Sequence, residues 1–472
     1  MRSAILFLVF WAFGGYAFSP APFLVAPSSS IKKKNVPNQG KNRGSSKLAD
    51  ATSAVAPVPL GGGGTATISN EIFNLVKAIV GAGVLSLPAG IAAFGNAPSA
   101  VLPAVTLICI IGILSGYGFS LIGRVCAYTG GKSYPDAWAK SIGEQTSWIP
   151  AVSATFKTIG AVLAYSMILA DTGLALAETA GFVTTRTKAL LGITGLILLP
   201  LCWLKDLASL GPFSLIGSLG MVYTTVAMAI RYFSKSYAIP NGEFKVAQAL
   251  SPSFGNQGAT SVFSPSSFIL ICMLSTAYMA HFNAAKFFIE LKDNTIERYN
   301  TVVSSSFGIS IAIFSAIASL GFLTFGANCS GLILNNYSTK DTLMSFSRIA
   351  VAISLIFSYP LAFQGARDGV LELFKIKDRS NKTLNGITIA LLTIVTSMAL
   401  KLKDVSFVLA MAGATLGNAL IYVYPALMLR GAVKKMSNPS AGLKREVGFA
   451  MTQAAVGVIF GIIGAKMALK SL

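Results

Sequence analysis

Charged residues are scarce in this 472-residue chain, at 11% of the composition, whereas 53% of its residues are hydrophobic. Soluble domains carry about a quarter charged residues, so this balance indicates a protein that lies in a lipid bilayer. The single histidine excludes a histidine-rich metal site. The cysteines form no Cys-x-x-Cys pair and no disulfide framework, and most lie inside apolar segments. They are Cys109, Cys126, Cys202, Cys272 and Cys329.

Catalytic signatures are also missing from the sequence. There is no GxSxG or HExxH motif, no pair of histidines and no long hydrophilic loop that could hold a catalytic domain. We therefore expect neither an enzyme nor a bound cofactor or metal. Symmetric pore segments and rings of charged residues, which would indicate a channel, are not found either.

Acidic residues are few beside basic ones, 17 against 37, which gives a formal net charge of +20. Seven of the basic residues precede Asn70, and most of the others lie in short loops between apolar segments. Such a loop bias orients membrane proteins in the bilayer. Because no basic face is interleaved with aromatic residues, nucleic acid is not an expected partner.

The N-terminus has the composition of a targeting sequence. Arg2, an apolar run and several small residues predict a secretory signal peptide over residues 1–17. Residues 18–69 form a basic, low-complexity tract that we expect to be disordered. The junction Ala17-Phe18-Ser19-Pro20 resembles the bipartite presequence of algae with complex plastids, which implies the plastid envelope or another plastid membrane. An ordinary signal peptide or anchor, leading to an endomembrane or the plasma membrane, is the alternative.

The remaining residues, 70–470, are predicted to form one all-α membrane domain. A helix needs about 20 apolar residues to cross a bilayer, and eleven segments approach that length. They are 71–95, 99–127, 151–180, 187–204, 207–233, 266–291, 301–325, 343–372, 383–401, 404–429 and 447–468.

The first of these segments is interrupted near its middle by Gly81, Gly83 and Pro88. An unpaired backbone amide or carbonyl group costs several kcal/mol in hydrocarbon, so a helix that breaks there must line something polar. Discontinuous helices build the central sites of secondary carriers. The sixth segment carries a dense polar series, and this pattern is compatible with two inverted repeats of five segments.

Three motifs resemble the amino acid/auxin permease family of the amino acid–polyamine–organocation superfamily. The run Phe73–Pro88 resembles the family's opening helix. The polar series of the sixth segment and the Tyr359-Pro360-Leu361 run of the eighth are similar to the matching family helices. The resemblance implies the bacterial leucine-transporter fold, with five plus five inverted helices, one further helix, and broken helices 1 and 6. It also implies amino acids as substrates, carried across the membrane by alternating access.

The resemblance further implies where a substrate binds. Backbone groups at the first break would hold its carboxylate and ammonium, although the glycines could instead serve close helix packing. Ser275, Thr276 and Ala277 of the sixth segment would bind the substrate from the other side, or would only form interhelical hydrogen bonds. Tyr278 would form a wall of the substrate pocket, or would be a packed residue of the core. The implied set is Val80, Gly81, Ala82, Gly83, Ser275, Thr276, Ala277 and Tyr278.

Lys77 departs from the family pattern. Sodium-coupled members carry an asparagine there as a sodium ligand, with a hydroxyl from the eighth segment, where this chain offers Ser354 and Ser358. An ammonium cannot coordinate Na⁺, so Lys77 is predicted to replace the ion, with Asp171 or Glu178 as its partner. This favours proton coupling or exchange over sodium coupling. A lysine that snorkels to the interface is the alternative.

His281 and Lys157 are the other polar candidates. His281 could carry a coupling proton, since histidine titrates near neutral pH, or could only bridge two helices. Lys157 is expected to contribute, with acidic residues of the third segment, to a polar seam that leads toward the site. A non-transporting amino-acid sensor on the same fold is the alternative function. The pattern does not predict the oligomeric state.

Overall fold

A computed structural model describes residues 64–204 and 213–470, and the predicted signal peptide and most of the low-complexity tract lie outside these ranges. The first helix begins at Ile68, slightly before the predicted domain boundary. The α-helices are α1 Ile68–Ile79, α2 Leu87–Ala92, α3 Val101–Thr129, α4 Tyr134–Ser141, α5 Trp148–Thr179, α6 Arg186–Ile193, α7 Leu199–Trp203, α8 Phe213–Phe233, α9 Ser267–Ala277, α10 Ala284–Glu290, α11 Ile296–Phe325, α12 Thr342–Leu373, α13 Asn381–Lys401, α14 Val405–Ala412, α15 Tyr424–Lys434 and α16 Ala441–Lys470.

Within residues 64–204 and 213–470, nine helical stretches are long and apolar enough to cross a membrane. A tenth span is the pair Ile68–Ile79 and Ala82–Ala92, whose axes are bent by 44°. The predicted span over 207–233 begins outside the described residues, and its apolar remainder, Leu219–Phe233, is shorter than a full crossing. The expected eleven spans are therefore not all found in the described part of the chain, whereas the all-helical, multi-pass architecture is.

The break in the first span has a local cause. Thr67 caps α1 by accepting a hydrogen bond from the Asn70 amide at 3.2 Å, and the helix ends at Ile79. Gly81 is extended, with φ −109° and ψ 176°, and a 3₁₀ turn follows over Ala82–Ser86. Pro88 lies in the first turn of α2, where a missing N–H costs little.

The sixth span is also interrupted. α9 ends at Ala277, the backbone is non-helical over 278–280, and a 3₁₀ turn over His281–Asn283 leads into α10. The amide of Tyr278 still donates to the Leu274 carbonyl at 2.9 Å, which closes the last turn of α9.

Long helices surround the two interrupted spans. α11 packs against α1 and α3, α12 packs against α5 and α8, and α9 packs against α14 and α16. The span Val405–Lys434 approaches α9 closely at Gly413, because a Cβ there would overlap the carbonyl oxygen of Cys272. Residues 413–417 form a π-helical turn, an irregularity that often marks functional sites.

A buried acid fastens the long loop after α8 to the start of α12. The Asp341 carboxylate accepts hydrogen bonds from Arg231 at 2.8 and 2.9 Å and from the Tyr237 hydroxyl at 2.9 Å. It also caps α12 through the amide of Met344 at 3.3 Å. Burial and the negative charge of Asp341 raise the pKa of Tyr237 well above its usual range, so the phenol stays protonated and donates.

Candidate functional site

A cavity of about 110 Å³ lies where the two interruptions meet. α5 and α14 complete its wall, so helices from both halves of the chain contribute. The lining residues are Ala78, Ile79, Gly81, Ala82, Gly83, Val84, Lys157, Gly160, Ala161, Ala164, Tyr165, Ile168, Met273, Thr276, Ala277, Met279, Val408, Leu409 and Ala412.

Much of the predicted substrate set lines this cavity. Gly81, Ala82 and Gly83 contribute from the first break, and Thr276 and Ala277 contribute from the sixth span. A Cβ on Gly81 would meet no protein atom within 4 Å, so this glycine leaves space open inside the site. The interrupted backbone and the open space therefore coincide.

Thr276 also connects the two sides of the cavity. Its hydroxyl donates to the carbonyl oxygen of Leu409 at 2.6 Å and so joins the end of α9 to α14. Ser275, one position earlier, points elsewhere. It is fully buried, and its hydroxyl donates to Ile271 in its own helix at 3.1 Å. Neither Ser275 nor Val80 is among the lining residues.

The structure places Tyr278 in the core rather than in the cavity wall. Its ring is fully buried, 4.7 Å from that of Phe314 and 6.0 Å from that of Phe307 between centroids. Its hydroxyl donates to the carbonyl oxygen of Ile108 at 3.2 Å. The residue turns toward α3 and α11 because it lies just past the last turn of α9.

His281 is buried on the same side, away from the cavity. Its Nε2 lies 2.9 Å from the carbonyl oxygen of Ser115, which can only accept, so Nε2 carries the proton. The ring stands edge-on to Phe119 at 5.6 Å. Nδ1 is buried and has no partner among the described residues. This arrangement fits an interhelical contact between α3 and the 3₁₀ turn after α9.

Asp171 pairs with Arg186 and not with Lys77. The Arg186 Nε donates to Asp171 at 2.5 Å, and the Asn335 side chain donates to the other carboxylate oxygen at 3.2 Å. Arg186 also donates to the carbonyl oxygen of Ala399 at 2.8 Å. Of the two predicted partners of Lys77, Asp171 and Glu178, the first is therefore already engaged in joining α5, α6 and α13.

Lys77 is half-buried near the end of α1, and nothing in the described ranges forms an ion pair or hydrogen bond with it. Ala78 and Ile79, which follow it, line the cavity. Ser354 and Ser358, on α12, are half-buried and do not line the cavity. Ser354 packs closely on Gly217 of α8, where an added Cβ would overlap its hydroxyl.

Lys157 is the charged residue of the cavity wall. The sequence predicted only that it would belong to a polar seam leading toward the site. The side chain lines the cavity, and its Nζ lies 4.2 Å from the centroid of the Phe282 ring. Such a cation–π contact stabilises a desolvated ammonium. The cavity wall described above contains no acidic residue. The position of Lys157 inside an apolar segment could have indicated a site residue from the sequence, because charged residues at membrane depth are rare and usually functional.

Comparison with known proteins agrees with this architecture. The profile of the family described as "Transmembrane amino acid transporter protein" matches residues 64–469. The chain belongs to this family. The resemblance inferred from the sequence motifs is thereby confirmed. The family is one of transporters rather than enzymes, which implies an amino acid as small-molecule substrate and a position within the membrane.

Relatives of this transmembrane amino acid transporter are distant but extensive. Over 373 residues it is 24% identical to a Danio rerio protein that bears the provisional name sodium-coupled neutral amino acid transporter 11, covering 78% of this chain and 79% of that one. Over 426 residues it is 25% identical to "Amino acid transporter AVT6E" of Arabidopsis thaliana, covering 86% and 84%.

A solved structure shares the fold of this family member. The crystal structure of MhsT, a transporter of the leucine-transporter fold, in complex with L-phenylalanine aligns with a TM-score of 0.52. The alignment covers 84% of this chain and 98% of MhsT at 11% sequence identity. At that identity the likeness concerns the fold alone.

Proposed function

We propose that this protein carries amino acids across its membrane by alternating access through the cavity between the two interrupted spans. The meeting of both interruptions at one cavity of about 110 Å³ carries this proposal. Backbone groups freed from helical pairing are affordable in a bilayer only where they line a polar space. The ammonium and carboxylate of an amino acid provide partners for such groups.

The charge of Lys157 supports a carboxylate-bearing ligand. A lysine held beside Phe282 in an apolar wall gains from an anion, since no acid in the described wall neutralises it. The wall is otherwise built of small and aliphatic side chains with one hydroxyl, that of Thr276, and one phenol, that of Tyr165. We therefore assign a neutral or small amino acid, whose carboxylate lies toward Lys157 and the backbone of Gly81–Gly83.

The moving elements would be the two interrupted spans. In secondary carriers with inverted repeats, discontinuous helices at the midplane take part in the rocking of one bundle against the other. The fold likeness to MhsT over 98% of its chain supports the five-plus-five arrangement with broken helices 1 and 6. Thr276 would hold α9 to α14 in the present state, and its bond to Leu409 would change as the bundle moves.

Coupling to protons, or exchange, is proposed in preference to sodium coupling. Several relatives bear a sodium-coupled name. Lys77, however, places a fixed cation where the resemblance to the family puts a sodium ligand in its sodium-coupled members. Two cations in one small site repel each other strongly at low dielectric. This chain is therefore expected to transport without Na⁺. Its membrane is proposed to be a plastid membrane, on the strength of the Ala17–Pro20 junction alone.

Uptake into proteoliposomes tests the function. The purified full-length chain would be given a panel of radiolabelled amino acids, with pH and Na⁺ gradients imposed separately. Uptake driven by the pH gradient and indifferent to Na⁺ supports the proposal. Binding of an amino acid without uptake of any would replace it with an amino-acid sensor on the same fold, and uptake that requires Na⁺ would overturn the coupling.

A further inference from the structure

A buried acidic residue, Glu71, lies in the first turn of α1, outside the cavity. Glu71 is 1% exposed, and its Oε2 is buried with no hydrogen-bond partner in the part of the chain that the structure describes. Eight residues separate it from Ile79 at the cavity, which is about 12 Å along an α-helix. An ionised carboxylate in such a place costs several kcal/mol unless it is paired, and otherwise it takes up a proton.

The groups that face Glu71 do not offer it that pairing. They are Glu290 and Lys286 on α10 and Tyr299 on α11. The Tyr299 hydroxyl donates instead to the carbonyl oxygens of Ala284 and Phe119, at 3.1 and 3.3 Å. Lys286 lies 3.8 Å from Glu290, with 68% of its side chain exposed. Glu290 carries a charge of the same sign as an ionised Glu71, so it offers no pairing.

Two backbone hydrogen bonds close the chain near the first turn of α1, where Glu71 lies. The amide of Ala66 donates to the carbonyl oxygen of Glu290 at 3.0 Å, and the amide of Lys292 donates back to Ala66 at 2.9 Å. These bonds tie the segment before α1 to the segment after α10. On the other side, the hydroxyl of Ser306 on α11 donates to the carbonyl oxygen of Ile72 at 3.3 Å. The burial of Glu71 therefore depends on α1 resting against α11 and on the pairing of the segment before α1 with the segment after α10.

We propose that Glu71 is the proton-binding site that couples transport to the pH gradient. While the backbone pairing at Ala66 keeps water from the first turn of α1, the Glu71 side chain holds one proton and is a neutral carboxylic acid. When α1 swings away from α11 and the backbone pairing at Ala66 opens, water reaches Glu71 and the proton leaves to that side, so the carboxylate becomes charged. This assignment rests on the proposed transport function and names the group that its coupling requires. It differs from His281, whose ring is fixed by Ser115, and from Lys77, which has no acid beside it.

The test compares wild type with Glu71→Gln in proteoliposomes, with two readouts. For wild type coupled to one proton, a pH gradient of about one unit supports about tenfold accumulation of the amino acid. Glu71→Gln is expected to bring that accumulation down to about onefold, while exchange of internal for external amino acid continues. Glutamine has the same shape as the protonated acid, so the sealed conformation is preserved.

Glu290→Gln is the matched control, because that acid lies nearby but is half-exposed and paired with Lys286; it should keep the pH response. Glu71→Asp should restore part of the response. A Glu71→Gln protein that still follows the pH gradient overturns the proposal. So does one that loses exchange together with accumulation while eluting as a folded protein, since that marks a structural role. Failure of wild type itself to transport would instead refute the proposed function.

Discussion

Gly81 offers the sharpest test of the cavity, because the substitution Gly81→Leu fills the cavity from a backbone position that accepts a Cβ. An ideal Cβ at this position has no protein atom within 4 Å, and the backbone is in an ordinary extended conformation, φ −109° and ψ 176°. The Cβ of a substituted residue therefore meets no clash, and the backbone accepts it without strain. Replacing glycine at such a position stabilises a protein by about 0.4–1 kcal/mol by restricting the unfolded chain.

The leucine side chain would occupy the volume of the cavity. Removal of a buried leucine side chain from a packed core opens space on the order of 150 Å³, and the cavity offers about 110 Å³. A substrate and the new side chain do not fit together. We expect the dissociation constant for the transported amino acid to rise by at least about tenfold, a loss of about 1.4 kcal/mol, and uptake to fall to background.

The measurement is amino-acid binding by calorimetry in detergent and uptake in proteoliposomes, for wild type, Gly81→Leu and Gly308→Leu. Gly308 on α11 is also exposed with open space around its Cβ, but it does not line the cavity. It should bind and transport as wild type does. Wild-type affinity and uptake in a folded Gly81→Leu protein would refute the placement of the substrate in this cavity.

Further outcomes are expected from other parts of the structure. Thr276→Val loses the 2.6 Å hydrogen bond to Leu409. The free energy of unfolding should fall by about 1 kcal/mol, and KM in uptake assays should rise. An unchanged KM would show that this bond does not contribute to the substrate site. Asp341→Ala leaves Arg231, whose side chain is 14% exposed, with only the exposed Glu243 at 3.7 Å as an acidic partner among the described residues. Stability in thermal unfolding should fall by about 3 kcal/mol, the lower end of the range for a broken buried ion pair; a change below about 1 kcal/mol would contradict this. If Lys77 takes the place of the sodium ion, as proposed, replacing Na⁺ by choline should leave uptake unchanged, and a loss of uptake would refute that role.

Local sequence chemistry accounts for part of the helix interruptions that the structure shows. Glycines and a proline within an apolar run interrupt helical pairing, and in the structure α1 ends at Ile79 with Gly81 extended. The polar series of the sixth span likewise contains a non-helical stretch over 278–280. The first interruption depends on the backbone preferences of glycine and proline, which neighbouring helices change little. The second lies at Tyr278, Met279 and Ala280, which include neither residue type.

The roles of individual polar side chains were harder to predict. Thr276 reaches the cavity while Ser275 does not, although successive residues differ only by about 100° around a helix axis. Asp171 was predicted to pair with a lysine and instead pairs with Arg186. In soluble proteins the apolar stripe reveals which face of a helix is buried, but a membrane helix is apolar on every side. Its rotation therefore leaves little trace in the sequence.

The sequence by itself determined the class of this protein, because apolar segments of spanning length and a low content of charge suit only a bilayer. It also determined the family, through the run from Phe73 to Pro88. Only the tertiary structure decided which charges face the cavity and which face the core, as for Lys157 and Glu71. That choice follows from the packing of helices far apart in the chain, since burial and pairing are set by neighbours that no single segment specifies.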